Sequence, residues 1–101
     1  MKLLLLTVVE EYQDIVLKLL KKAKIESFSE SNIEGFKKPS KQLNDLSWFP
    51  VVKGGAKSIL FFSFTEEEKI DNLFPMIRKF NQELDTNNPI KAVVVPIETY
   101  I

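Results

Sequence analysis

The chain has 101 residues, 45% of them hydrophobic and 28% charged, and its 14 Lys and Arg are balanced by 14 Asp and Glu. These values fit one globular domain spanning residues 1–101 with a real core. They exclude a disordered or collagen-like chain, and they exclude a global field that would draw it to nucleic acid or an anionic membrane. With no Cys and no His, the chain has no disulfides or thiolate sites, and it lacks both the commonest metal ligand and the usual general base near neutral pH.

Lys2 to Val9 (KLLLLTVV) is a short apolar run ending in β-branched residues, the pattern of a central strand buried on both faces. It is too short to span a membrane and no small-residue cleavage site follows it, so a cytoplasmic protein is expected. From Tyr12 the period changes. Tyr12, Ile15, Val16, Leu19, Leu20 and Ala23 fall on one helical stripe, between an acidic start at Glu10 and Glu11 and a lysine-rich end. Ile25 to Phe36 (IESFSESNIEGF) reads as a polar edge strand, with Gly35 marking a bulge or a close backbone approach.

Phe36 to Gly55 (FKKPSKQLNDLSWFPVVKGG) is a connection of about twenty residues without clear periodicity, a length that is functional or disordered in most compact domains. It holds the only Trp and two of the three Gly. Ser58 to Phe64 (SILFFSF) follows as a second central strand. Thr65 and Glu68 form a capping-box pattern, and Ile70, Leu73, Phe74, Ile77, Phe80 and Leu84 supply the stripe of a second helix. Pro75 inside that pattern should kink or divide it between Asp71 and Pro75. Asp85 to Pro89 is turn chemistry, and Ile90 to Val95 is a last strand, terminated or bulged at Pro96.

Two strand-helix-strand halves in this length point to a ferredoxin-like βαββαβ sandwich of the α+β class, a four-stranded antiparallel sheet with both helices on one face. The central strands are apolar at both parities. A monomer would therefore expose a greasy face, and burial of that face in a closed oligomer is expected.

Three segments in this order resemble the PII-like signalling superfamily. Lys24 to Phe36 is similar to the family's second strand, which runs from Gly-Ile to Gly-Phe, with Lys24 in place of the opening glycine. Ile70 to Ile77 (IDNLFPMI) is similar to its Val-Asp-x-Val-Val-x-x-Ile helix, and Lys91 to Ile101 (KAVVVPIETYI) to its Lys-Ile-Phe-Val-x-Pro-Val-Glu-x-x-Ile ending. The resemblance implies a homotrimer with inward sheets, ligand sites in clefts between subunits, and a T-loop at positions 36–55. It also implies a regulatory, non-enzymatic role on a protein target, a membrane transporter by family analogy. Departures accompany it. The family's glycine-rich phosphate loop is replaced by Asp85-Thr-Asn-Asn-Pro89, the sequence given has no basic tail after the last strand, and the central loop has no tyrosine to modify. Nucleotide binding is therefore not assumed.

On this reading, Gly35 and Phe36 at the loop base, Lys37, Lys38 and Lys57 beside them, and Lys91 form a candidate site for a small anionic effector, with Thr86, Asn87 and Asn88 as hydrogen-bonding groups. Solvated charge is the competing reading of the lysines. Trp48, Phe49 and Pro50 are candidate partner contacts, or else a plug for the core or the intersubunit cleft. No spacing suggests a metal site or a cofactor. A ligand-free interaction module is the alternative function; a CutA-like cation protein and a small ferredoxin-like enzyme have only fold analogy behind them.

Overall fold

A computed structural model of the chain describes residues 1–36, 56–84 and 87–101. The elements are β1 (Lys2–Val9), a single 3-10 turn (Glu10–Tyr12), α1 (Gln13–Lys22), β2 (Ser29–Gly35), β3 (Ala56–Thr65), α2 (Glu67–Leu84) and β4 (Lys91–Pro96). The strands pair antiparallel in the order β2-β3-β1-β4, so the first strands of the two halves lie side by side at the centre. This is the ferredoxin-like arrangement.

The period-2 alternation sorts the strands cleanly. Leu4, Leu6 and Val8 of β1 and Ile59 and Phe61 of β3 share one face, and there they pack with Val16 and Leu20 of α1 and Ile70, Leu73 and Ile77 of α2. Each of these side chains is worth about 1.5–3 kcal/mol when fully removed from water. On the opposite face Leu3, Leu5, Leu60, Phe62, Phe64, Val93 and Val95 are neighbours across three strands, by register. No described helix covers them. Phe64 is 57% exposed and Val93 38%, and Phe62 meets Phe64 edge-on with ring centroids 6.5 Å apart.

The end of α1 departs from the expected strand at Ile25. Lys24 N–H donates to the Lys21 carbonyl at 3.0 Å and Ile25 N–H to the Leu20 carbonyl at 2.9 Å, the two bonds of a Schellman cap. The cap needs a left-handed residue, and Lys24 takes it with φ 62°. Ile25 thereby turns into the core beside Leu20, and β2 starts only at Ser29. Ser63 Oγ donates to the Ser27 carbonyl at 2.6 Å and ties the intervening segment to the sheet.

Three further expectations change at α2. The capping box does not form, because β3 runs on to Thr65, which pairs with Lys2. Glu66 takes the cap position instead, its carbonyl accepting from the N–H groups of Lys69 and Ile70. Of the kink or division expected at Pro75, the division does not occur: α2 runs unbroken from Glu67 to Leu84. Pro75 lies on its exposed side, and Asp71, whose carbonyl loses its partner to the proline, is itself exposed, so water can satisfy that oxygen. Leu84, expected in the buried stripe, is 51% exposed in the last turn. Pro96 is the last residue of β4, an edge strand, where a missing N–H is tolerated.

Candidate functional site

The candidate residues gather at one end of the sheet, where β1 and β2 finish and β3 and β4 begin. Register fixes the first group. Gly35 is level with Ala56 and Glu34 with Lys57, so the two strands flanking the central connection are paired to their last residues. Gly35 is buried there, whereas Phe36 is 64% exposed. Beside them is an open cavity of about 420 Å³ lined by Glu10, Asn32, Ile33, Glu34, Lys57 and Ser58. Among the described residues its charges are two carboxylates and one ammonium.

The second group lies at the opposite edge. Lys91 opens β4, half-buried and level with Thr7. Asn87 and Asn88 precede it in a bend, the first exposed and the second half-buried. The Asn81 side chain ties the far end of this bend to α2. Asn81 Nδ2 donates to the Ile90 carbonyl at 3.0 Å, while Ile90 N–H donates to Asn81 Oδ1 at 2.8 Å. The amide thus offers Ile90 the donor and acceptor that a neighbouring strand would supply, and Ile90 is buried in the core.

Among the described residues the two groups do not meet within one chain. Lys57 shares the helix-covered face with Ile59 and Phe61, whereas Lys91 shares the open face with Val93 and Val95. Two strand spacings and three residues of offset put their Cα atoms about 14 Å apart, with side chains on opposite faces. Lys37, Lys38, Thr86, Trp48, Phe49 and Pro50 lie outside the described residues.

The residues that line the cavity with Lys57 were not singled out from the sequence. Glu34 opposite Lys57 could have been found as a cross-strand charge pair once the register was drawn. Asn81 carried no such signal, since a polar residue near a helix end reads as solvated. Among the described residues no group of three or more His, Cys, Asp or Glu could hold a metal ion. No described helix is long and apolar enough to cross a membrane.

No family model matches the chain, and no curated protein does. Solved structures do match it over nearly its whole length. One is CPII, a nitrogen regulatory PII-like protein from Thiomonas intermedia bound to ADP, AMP and bicarbonate. It is 13% identical with a TM-score of 0.64, over 99% of this chain and 94% of that one. This chain has the PII-like fold. The apo form of the same CPII gives a TM-score of 0.65 at 13% identity, over 93% and 87% of the two chains. A DUF3240 family protein from Shewanella baltica is 18% identical with a TM-score of 0.67, over 98% and 91%. In this fold Gly35 and Ala56, which flank the central connection, and Lys91 at the start of β4 lie at one end of the sheet.

Proposed function

We propose that this protein is a PII-like regulator rather than an enzyme. It assembles as a homotrimer, binds a small anionic effector in the clefts between subunits, and contacts a protein target through Trp48, Phe49 and Pro50 of its central connection. The observation that carries the reading is the separation of Lys57 from Lys91 on opposite faces of one sheet. The loop base belongs to the β2 and β3 side and Lys91 to β4, the other edge. A head-to-tail contact that closes into a ring sets the first edge of one copy against the second edge of the next. The same ring buries the uncovered face formed by Leu3, Leu5, Phe62, Phe64, Val93 and Val95.

The anion-binding end is the α2–β4 turn. Lys91 supplies a mobile ammonium, and Thr86, Asn87 and Asn88 supply hydrogen bonds where related proteins use glycine backbone. Lys57, with Lys37 and Lys38 next to the loop base in the sequence, would come from the neighbouring copy. The CPII bound to ADP, AMP and bicarbonate makes those three molecules the natural probes.

A ligand at a hundred times its Kd adds about 2.7 kcal/mol of stability, several degrees in Tm for a domain of this size. Such a rise is expected with at least one of ADP, AMP or bicarbonate. Flat melting curves with all three would remove the effector role. The mass in solution tests the assembly separately: three chains are expected, and a single chain at micromolar concentration would remove the ring.

A further inference from the structure

Asn81 sits in the last turn of α2, nine residues before Ile90, and its amide is engaged at both ends by one backbone residue. The contact has the two-point geometry of a strand pair, made by a side chain. An ordinary helix-to-strand connection leaves the first residue of the strand to be held by its neighbouring strand alone. Here the register of β4 against β1 extends from Lys91 to Pro96, and Ile90 lies one residue beyond it. The clamp thus holds the strand back to the helix at the position where sheet pairing stops. The two ends of the turn that carries Asn87 and Asn88 are joined by it, and Lys91 is the next residue.

We infer that Asn81 is a positioning residue for the α2–β4 turn: it sets where Asn87, Asn88 and Lys91 stand, and so the affinity of the effector site they form. The second half of this statement rests on the function proposed above. The geometry demands an amide of this length. Asp at this position keeps an acceptor for the Ile90 N–H but turns an oxygen toward the Ile90 carbonyl. Ala keeps neither partner, and both Ile90 groups then lose their protein contact in a half-buried place.

The experiment uses the full chain and its Asn81→Ala and Asn81→Asp variants, with amide hydrogen exchange read residue by residue and ADP titrated as the probe. In Asn81→Ala, exchange at Ile90 is expected to quicken roughly tenfold, the equivalent of one net hydrogen bond. Leu4 and Leu6 in the centre of β1 should exchange at the original rate. ADP affinity should fall in both variants. Unchanged exchange at Ile90, or equal acceleration at Leu4, Leu6 and Ile90, overturns the clamp. A loosened Ile90 with unaltered ADP affinity overturns its role at the site. If the unmodified chain ignores ADP, AMP and bicarbonate alike, the effector reading fails while exchange at Ile90 still decides the clamp. Should Asn81→Ala not fold, Asn81→Leu, which keeps the side-chain volume and removes both hydrogen-bonding groups, carries the same exchange test.

Discussion

The two faces of the sheet are made from the same kinds of side chain and meet opposite fates. On one face Leu4, Leu6, Val8, Ile59 and Phe61 are closed off by α1 and α2; on the other Leu3, Leu5, Phe62, Phe64, Val93 and Val95 have neither described helix above them. Apolar character alone therefore does not identify the core of this chain. What distinguishes the faces is the cover that the connections provide, and both helical connections fall on the same side.

The largest effect expected from that comparison is on the covered face. Leu73 is 0% exposed, and Leu73→Ala should destabilise the fold by about 2–5 kcal/mol in urea unfolding. An effect below about 1 kcal/mol would mean that the core is not where the helices close. On the uncovered face a charge should act on assembly instead. Phe64→Lys is expected to leave the circular dichroism of the fold intact while reducing the mass in solution to that of a single chain. A variant that keeps the wild-type mass would show that this face is not the interface.

Two smaller effects sharpen the account of the covered side. Lys24 occupies a left-handed position where an L-residue costs roughly 1–2 kcal/mol, so Lys24→Gly should stabilise the fold by about 1 kcal/mol after the entropy of glycine is set against it. Loss of stability in that variant would contradict the Schellman cap. The exposed Lys79–Glu83 pair, 3.9 Å apart on α2, should contribute only about 0.3–0.5 kcal/mol in a double-mutant cycle, less at high salt.

The fold was legible because its signals are local and periodic. The run from Lys2 to Val9 coincides with β1, and the helical stripes at Val16, Leu20, Ile70, Leu73 and Ile77 are the buried ones. The resemblance to the PII-like second strand placed a glycine where Lys24 stands, and the left-handed backbone at that residue is the physical reason a glycine fits there. What the sequence did not reveal depends on competition between neighbours. Thr65 is a good cap, yet strand pairing with Lys2 takes it first. Pro75 breaks a helix in isolation, but Leu73 and Ile77 on the buried side hold α2 together across it.

The site was less legible than the fold. Lysine residue type marks Lys57 and Lys91 equally, and only the register puts them on opposite faces. Of the four lysines in the candidate site, Lys57 and Lys91 are the two among the described residues. The cavity at the loop base mixes Glu10 and Glu34 with Lys57, and no single-residue signal predicts that mixture.

The central claim is that the effector site is completed between copies, by the loop base of one chain and the β4 edge of the next. It is tested most directly by mixing two inactive variants. Lys57→Ala and Lys91→Ala, each expected to lose at least roughly tenfold in affinity for ADP because a charged hydrogen bond is removed, are unfolded together and refolded as a mixture. Mixed assemblies then contain some sites with both lysines intact, and the account predicts that a fraction of tight ADP binding returns. If both variants are oligomeric and individually weak, yet the mixture binds no better than either alone, the site is not shared between copies.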